Sequence, residues 1–457
     1  MLFGKITNAP HVPRARAFLN ARAMVRNPVR VFEEYRQQLG PTFTVHLGGS
    51  KEAIVSSDPS FVQHVLQKNW ANYHMSDIRV RRMGEFQGQG LINSHGEEWM
   101  RKRRFLAQGF RPDRLAELLP MQEQVHEESL ARFDPDSARD PIDIHKLMGG
   151  LTFRLGGKAL FGSRMTDSEI ERLGFAINTI QEFVLRQIVQ PYKIPWFRIS
   201  GQSRRYQRIR TETEQIALDY IAARRGAVGD GEGDLLEFML KTPYPDPPEP
   251  LSEEQILIES LQLLVASNET STVALSWTLY LLGRHTHFIE KIREEIDAVL
   301  GTGPITFKGL HQMHLTLRVI DEALRLYPSF WMIDRMAVGD DEIEGIHIPA
   351  GLTVLTHIYG MHRNTDVWAD PDVFDPSRFE DESKKDRNPF AHLPFGGGPR
   401  KCIGSNMALM QMLLILTVFI RRYDFELASA EPVEIDPMMI LHPMGAIGMR
   451  VRAVARC

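Results

Sequence analysis

Residues 395–404 read FGGGPRKCIG, and a strongly helical run follows them at 407–420. Three successive glycines and a proline continue neither a helix nor a strand, so they predict a tight loop. Cys402 would then lie just before a helix N-terminus, where free N–H groups and the helix dipole stabilise a thiolate and lower the pKa of the thiol. A thiolate serves as a metal ligand or as a nucleophile. An inert buried cysteine and an anion-binding glycine loop remain the alternatives.

The composition is that of an ordinary globular protein. The 457 residues are 43% hydrophobic and 25% charged, with a formal net charge of −4, which excludes disorder and does not indicate nucleic acid as a partner. Only Cys402 and Cys457 are cysteines, so a disulfide framework is excluded and a multi-cysteine metal site nearly so. No apolar stretch has the length of a signal-peptide core or a membrane span, so we expect a cytoplasmic protein.

Helical periodicity dominates the chain, and strand patterns are few. Helices are predicted at 58–68, 96–109, 113–132, 168–189, 203–225, 252–284, 287–299, 315–326 and 404–421. Strands are predicted at 42–47 and 52–55 with a Gly48-Gly49 turn between them, and at 343–348 and 352–358. The stretch 226–250, rich in Gly, Asp and Pro, indicates a long surface connection, with an interdomain linker as the alternative. The polar stretch 381–388 indicates an irregular loop.

The predicted helix 252–284 has a polar middle. Ser252 and Gln255 form a plausible capping box at its start, and 33 residues at 1.5 Å rise would span about 50 Å. Residues 266–271 read ASNETS between apolar flanks. Polar groups in a buried helix need partners, so either a satisfied hydrogen-bond network or a functional site lies at the middle of this helix.

The loop at 395–404 resembles the haem-binding signature of the cytochromes P450, Phe-x-x-Gly-x-Arg-x-Cys-x-Gly. The five fixed positions are matched by Phe395, Gly398, Arg400, Cys402 and Gly404. The resemblance extends over the whole chain and implies the P450 fold, mainly α with a small β subdomain (α+β) and a long central helix over the haem. It implies one haem domain over 1–457, with haem b (iron protoporphyrin IX) as the cofactor and Cys402 as the iron ligand.

A charged pair and a later arginine resemble a second family motif. Glu322 and Arg325 match the Glu-x-x-Arg pattern, and Arg378 lies in FDPSRF, which resembles the segment that supplies the second arginine. The resemblance implies a buried structural triad, which is costly unless fully paired. Alone, the Glu-x-x-Arg pattern would equally fit a solvated ion pair.

The polar middle of the long helix resembles the family's oxygen-binding motif. By this resemblance Glu269 and Thr270 are the catalytic acid–alcohol pair that delivers protons. Ser267 stands where the family usually carries glycine, so the shape of the helix groove beside the pair remains open.

Further cofactor-binding residues follow from the resemblance. Trp99 and Arg103 match the helix that meets the haem carboxylates, and Arg335 matches a further arginine for the same groups. Arginine suits these roles because its planar fork binds carboxylates in a bidentate way. Phe395, Arg400 and Gly404 complete the predicted cofactor-binding set, and Cys402 is its metal ligand.

The resemblance also implies a separate electron donor. A chain of 457 residues leaves no room for a fused flavin reductase, so we expect a ferredoxin or flavodoxin with its reductase, and NAD(P)H only indirectly. Four basic residues are predicted to form the docking face: Arg101, Lys102, Arg104 and Lys401. A solvated helix face is the alternative. We expect a monomer.

The expected reaction is insertion of one oxygen atom of O2 into a small-to-medium organic substrate, by hydroxylation or oxidative O-dealkylation. The alternatives are a peroxide-driven peroxygenase, against which the Glu269-Thr270 pair argues, and a non-catalytic haem-binding sensor. The substrate pocket is predicted to contain Phe86, Gln87, Ala266, Phe330, Trp331 and Met444. Core packing is the alternative role for Phe330 and Trp331. Fatty acids, terpenoids, steroids and small polar ethers all remain open as substrates.

Overall fold

The structure is a computed structural model that describes residues 7–47, 51–131, 133, 141–162, 164–226, 233–245 and 247–454. The α-helices are α1 (Arg14–Leu19), α2 (Ala21–Arg26), α3 (Pro28–Leu39), α4 (Pro59–Gln63), α5 (Asp77–Gln87), α6 (Gly96–Ala107), α7 (Pro112–Ala131), α8 (Ile144–Phe161), α9 (Asp167–Val189), α10 (Ile194–Ile199), α11 (Gln202–Gly226), α12 (Leu235–Lys241), α13 (Glu253–Arg284), α14 (His287–Leu300), α15 (Phe307–Gln312), α16 (His314–Leu326), α17 (Ile358–Met361), α18 (Asp381–Lys384) and α19 (Ser405–Arg422). The strands are β1 (Thr42–Leu47), β2 (Lys51–Ser56), β3 (Tyr73–His74), β4 (Ile142–Asp143), β5 (Met332–Ala337), β6 (Asp341–Ile343), β7 (Ile346–Ile348), β8 (Thr353–His357), β9 (Tyr423–Leu427), β10 (Ile435–Pro437), β11 (Leu441–Pro443) and β12 (Gly448–Ala453).

The strands form a small sheet region beside a large helical body. The largest sheet has the order β1-β2-β8-β5-β3, in which β2 and β8 pair in parallel and the other pairs are antiparallel. A second sheet has the order β4-β12-β9, and β6–β7 and β10–β11 are separate two-stranded pairs. The hairpin of β1 and β2 confirms the strands predicted there, while its Gly48-Gly49 turn lies outside the described residues. This architecture confirms the mainly α fold with a small β portion.

Helix α13 runs through the middle of the helical body. The predicted capping box is present, with the Ser252 hydroxyl accepting from the Gln255 N–H and the Gln255 side chain accepting from the Ser252 N–H. One side of the polar middle is a satisfied network, since the hydroxyl of Thr152 in α8 bonds Asn268 at 3.2 Å and Thr272 at 2.6 Å. The other side carries Glu269, which lines a cavity. Both interpretations of the polar middle are therefore present, on different faces of one helix.

Helix α8 was not predicted, although it packs along α13. Its sequence carries four glycines, and nearly all sides of it are buried, so neither propensity nor an amphipathic stripe identifies it. The glycines permit close approach: a Cβ on Gly156 would lie 2.7 Å from the Ser267 hydroxyl oxygen. Ser267 donates to the Leu264 carbonyl at 3.1 Å, lies against α8 at Gly156 and also lines the cavity.

Three local predictions are wrong. The stretch 226–250 is not only a connection, because it contains α12, whose buried side chains Leu235, Leu236, Phe238 and Met239 pack towards α8. The single strand 343–348 is two strands, β6 and β7, separated by a turn in which Glu344 and Gly345 have positive φ. The loop 381–388 begins with the short helix α18. Short helices in polar, Pro-rich contexts have no periodic pattern long enough to detect.

In the part of the chain that the structure describes, no helix is long and apolar enough to cross a membrane.

Candidate active site

The cysteine loop connects the sheet region to α19. Gly398 has a φ of +66°, and a Cβ at this residue would lie 1.8 Å from the Leu66 carbonyl oxygen, so only glycine fits here. The Cys402 N–H donates to the Phe395 carbonyl at 2.9 Å, and the Lys401 N–H donates to the Gly398 carbonyl at 3.0 Å. Helix α19 begins three residues after Cys402, as the glycine pattern predicts.

Cys402 lines a cavity of about 510 Å³ between α13, α6 and the loop. Burial raises the pKa of its thiol, although the Gly404 N–H, Arg103 and Lys401 oppose the shift. The prediction of a lowered pKa is therefore wrong for the protein alone, because burial outweighs the helix terminus. Among the described residues no three His, Cys, Asp or Glu side chains could hold a metal ion together. A metal at Cys402 would take its other ligands from a non-protein group.

Four guanidinium groups line the same cavity: Arg79, Arg103, Arg335 and Arg400. Burial, followed by repulsion from Arg335, Arg103 and Arg79, lowers the pKa of Arg400 to about 10. Burial likewise lowers the pKa of Arg335 to about 10 and lowers that of Arg103. Buried positive charges that repel one another are stabilised when an anionic group binds between them.

Asp334, the carboxylate that pairs with Arg79, already has partners. Asp334 accepts from Arg79 and from the Ser76 hydroxyl, each at 2.6 Å. Burial opposes its ionisation, but Arg79 and Ser76 still hold the pKa of Asp334 at about 2. Within the described ranges, Arg103, Arg335 and Arg400 have no carboxylate partner. These three cations therefore remain available to an anionic ligand.

Trp99 supports this cation cluster. Its indole is buried, with the Arg400 guanidinium 4.4 Å from the ring centroid and the Trp70 ring at 5.6 Å. Arg400 also donates to the Ser94 carbonyl at 2.8 Å. The cation–π contact and the hydrogen bond orient the guanidinium before any ligand binds. All seven residues predicted to bind the cofactor line the cavity: Trp99, Arg103, Arg335, Phe395, Arg400, Cys402 and Gly404.

The predicted catalytic pair lies on another wall of this cavity, on α13. Glu269 and Thr270 both line it, and the Thr270 hydroxyl donates to the Ala266 carbonyl at 2.9 Å. The carboxylate of Glu269 lies 3.1 Å from Nε2 of His442, on β11. The Ser329 hydroxyl donates to the Thr270 carbonyl at 2.9 Å, which ties this turn of α13 to the segment after α16.

The predicted structural triad is brought together behind the cysteine loop. Glu322 and Arg325 are fully buried and form two hydrogen bonds of 2.6 and 2.8 Å. Arg378 lies 3.5 Å from the same carboxylate. Arg325 also donates to the carbonyls of His362 and Pro371, at 2.8 and 2.7 Å. A solvated ion pair is thus excluded for this motif.

His362 connects the triad to the cysteine loop. Its Nε2 accepts from the Leu393 N–H at 2.9 Å, so Nδ1 carries the hydrogen and donates to the Arg325 carbonyl at 3.2 Å. Burial, then His392 and Arg325, keep the pKa of His362 well below its usual value. A neutral imidazole with one fixed tautomer therefore joins α16 to the start of the loop.

Half of the predicted substrate-pocket residues line the cavity: Gln87, Ala266 and Phe330. The other three predictions are wrong. Phe86 is buried against the Phe183 ring, with the centroids 5.5 Å apart. Trp331 packs in the core and donates from Nε1 to the Met438 carbonyl at 2.8 Å. Met444 is 47% exposed and lies outside the cavity lining. Side-chain direction, which sequence position alone does not decide, separates the two groups.

Two of the four predicted docking residues are used inside the molecule. Lys102 is buried and pairs with Glu98 at 2.8 Å and Glu259 at 3.7 Å. Arg101 pairs with Glu249 at 2.9 Å and donates to the Pro245 carbonyl. The docking prediction is therefore wrong for Lys102, whereas Arg101 is partly exposed and its docking role stays a prediction. Arg104 and Lys401 are exposed, and Lys401 adjoins the cysteine.

Arg79 and His442 line the cavity although no sequence motif distinguishes them. Arg79 is one of several arginines at 79–82, and no spacing distinguishes it. His442 meets Glu269 only because β11 folds back over α13. Neither contact leaves a local pattern in the sequence.

Comparison with known proteins identifies a single family. The family model described as Cytochrome P450 matches residues 10–447. Protein LUTEIN DEFICIENT 5, chloroplastic, of Arabidopsis thaliana is 27% identical and aligns with 98% of this chain and 78% of its own. Cyclooctat-9-en-7-ol 5-monooxygenase of Streptomyces melanosporofaciens is 28% identical, over 84% of this chain and 82% of its own. The fold matches the crystal structure of cytochrome P450DA heme domain with a TM-score of 0.86, at 23% identity and 98% coverage of both chains.

Proposed function

Since the chain belongs to the cytochrome P450 family and is an oxidoreductase of the monooxygenase type, we propose that it inserts one oxygen atom of O2 into a small-to-medium organic substrate by hydroxylation or oxidative O-dealkylation. The observation that carries the proposal is that Cys402 and the Glu269-Thr270 pair line one cavity. A thiolate ligand and a proton-delivering pair would then serve one reaction site within this cavity.

Haem is the cofactor that the family implies, and the residues fit it. Cys402 would ligate the iron, and the unpaired cations Arg103, Arg335 and Arg400 would bind the haem carboxylates beside Trp99. These anions would relieve the mutual repulsion of the buried guanidinium groups. Bound haem supplies dioxygen activation and oxygen transfer, favoured by thiolate ligation.

Proton delivery is the proposed task of Glu269 and Thr270 on the α13 wall of the cavity. The Glu269 carboxylate accepts and releases protons at the cavity wall, and the Thr270 hydroxyl both donates and accepts. The hydrogen bond from Thr270 to Ala266 holds the hydroxyl in place, and rotation of that hydroxyl frees its proton for the cavity. The acid–alcohol pair makes an oxygenase driven by external electrons the better proposal than a peroxygenase.

The substrate is proposed to be a largely apolar molecule that carries a hydroxyl group. Methionine and aliphatic side chains dominate the cavity wall, with amide groups of Gln87, Asn178 and Gln181 among them. Amides bind a hydroxyl by donating and accepting, whereas the apolar wall binds hydrocarbon. The Streptomyces relative is named for an alcohol, cyclooctat-9-en-7-ol, which supports a terpenoid alcohol over a fatty acid.

Electrons are proposed to come from a ferredoxin or flavodoxin with its reductase, so that NAD(P)H acts only indirectly. Lys401 is exposed beside Cys402, and Arg104 is exposed on α6. Positive side chains on this surface would attract an acidic electron carrier.

A carbon monoxide difference spectrum of the reduced enzyme tests the proposal. We expect a thiolate-type Soret band in the wild type and in Cys457→Ser, and its loss in Cys402→Ser. Titration with terpenoid alcohols should then shift the spin state of the oxidised enzyme. A histidine-type band in the wild type, or an unchanged spectrum in Cys402→Ser, would contradict Cys402 as the ligand.

A further inference from the structure

A second polar contact extends from the catalytic wall of the cavity. His442 lies on β11, and its Nε2 is 3.1 Å from Oε1 of Glu269. Both side chains line the cavity and are only partly exposed, at 24% for His442 and 35% for Glu269. An imidazole N–H at this distance donates to the carboxylate and restricts its rotation. No part of the acid–alcohol motif supplies this histidine.

A second imidazole lies behind His442. The ring of His145, at the start of α8, meets the His442 ring edge to face, with the centroids 5.6 Å apart. Nδ1 of His145 lies 2.9 Å from the Ser276 hydroxyl, which itself donates to the Thr272 carbonyl at 2.6 Å. The Ser276 hydrogen is therefore already used, so Nδ1 of His145 is the donor. His145 thus keeps Nε2 available for a proton.

The charges around this pair of imidazoles come from three elements. Helix α13 contributes Glu269, and the segment before α8 contributes Asp143, which caps that helix. On β10, Asp436 lies opposite His442 in the antiparallel register. Burial, then His442, lowers the pKa of His145, whereas Asp143 and Glu269 oppose that shift. The two histidines therefore interact electrostatically as well as through ring packing.

We propose that His442 is a positioning residue that holds the Glu269 carboxylate at the cavity wall and couples its charge to His145. The inference rests on the proposed role of Glu269 in proton delivery. It adds that the orientation of this carboxylate depends on an imidazole, so the fraction of electrons that yields product depends on the hydrogen bond between His442 and Glu269.

Two substitutions at residue 442 distinguish the hydrogen bond to Glu269 from the imidazole ring that makes it. His442→Leu removes the hydrogen bond. His442→Gln removes the imidazole ring but keeps an N–H donor near the position of Nε2. With a ferredoxin–reductase pair and the terpenoid alcohol identified by titration, we expect His442→Leu to lower product per electron about three- to tenfold. His442→Gln should retain most of the product yield, because the amide N–H can still donate to the Glu269 carboxylate. Asp436→Asn is the matched control and should resemble the wild type, because Asp436 faces His442 in the strand register but is not the carboxylate that His442 contacts.

A measurement without turnover tests the coupling of the two rings. Histidine labelled at Cε1 is followed by NMR in the reduced, carbon monoxide-bound enzyme, which is diamagnetic. We expect His442→Gln to raise the pKa of His145, because the His442 ring lowers that pKa in the wild type. Asp436→Asn should leave it unchanged. An unchanged pKa of His145 in His442→Gln would overturn the coupling.

The failure of this inference is distinguishable from the failure of the proposed function. If Glu269→Gln lowers product per electron while His442→Leu does not, the positioning role is wrong and the proton-delivery role stands. If neither variant has an effect, the role of Glu269 itself is wrong. On the Glu269→Gln background, His442→Leu should add no further loss, because contacting residues with one task are not additive.

Discussion

The Cα atom of Gly398 lies so close to the carbonyl oxygen of Leu66 that a Cβ at residue 398 would stand 1.8 Å from that oxygen. The obstacle is backbone rather than a flexible side chain, and Gly398 also has positive φ. This contact presses the cysteine loop against the π-helical turn His64–Lys68 and sets where Cys402 enters the cavity.

Gly398→Ala is therefore expected to lower the free energy of unfolding by about 3 kcal/mol, through overpacking and backbone strain. Chemical denaturation of the haem-loaded enzyme measures this loss, and the haem content after purification should fall with it. The control is Gly404→Ala in the same loop, whose Cβ would have its nearest neighbour at 3.7 Å. Equal stability of the two variants would contradict the role of the Leu66 contact.

The buried pair Glu322–Arg325 is expected to be among the most sensitive in the chain. Glu322→Gln leaves Arg325 buried without its counter-charge, so the free energy of unfolding should fall by about 3–5 kcal/mol. Glu382→Gln is the matched control, because Glu382 and Lys385 have the same i, i+3 spacing but are exposed. That change should cost less than about 1 kcal/mol. Urea titration of both variants decides the comparison.

Thr270→Ala is expected to separate electron consumption from product formation. Removal of the hydroxyl should lower product per electron by about tenfold or more, with peroxide rising in its place. Thr272→Ala serves as the control, since its hydroxyl bonds Thr152 on the opposite face of α13. This control should cost about 1 kcal/mol of stability and leave product per electron unchanged. Equal product yields in Thr270→Ala and the wild type would count against proton delivery.

His357 is expected to make the protein sensitive to acid. Burial lowers the pKa of this residue to about 4, and neither ring nitrogen has a partner. Between about pH 6.5 and 4 the unfolded chain binds a proton that the folded chain does not. The free energy of unfolding therefore decreases by about 3 kcal/mol as the pH is lowered through this range. His357→Phe should remove that part of the loss, because the ring packs against Phe32 and Trp331. The exposed His347→Phe should keep the wild-type pH dependence of unfolding.

Charge reversal at Lys401 tests partner docking. Lys401→Glu should slow electron transfer from an acidic ferredoxin several-fold at low salt and less at high salt, because salt screens exposed charges. Stopped-flow reduction at two ionic strengths measures this. The control is Lys385→Glu, an exposed lysine that directly follows α18 and whose local partner is Glu382. Identical effects of the two reversals would indicate net charge rather than a docking site.

Local chemistry made part of this protein predictable from the residues. Helix periods, the Ser252 cap and the turn chemistry of the glycines act over a few residues, so their outcomes at α13 and before α19 could be predicted. Helix α8 could not, because its glycines and its burial on nearly all sides leave no amphipathic period. Its role depends on α13, with which it packs closely.

The sequence by itself determined the family motif, the residue types of the site and the mainly helical class, since each is carried by spacing along the chain. Only the tertiary structure decided which of those residues share a cavity. In the folded chain, Phe86 and Trp331 pack in the core, and Lys102 pairs with the buried Glu259. His442 contacts Glu269, which is far from it in the sequence. Side-chain direction and long-range contact follow from how helices and strands pack, and no interval in the sequence encodes them.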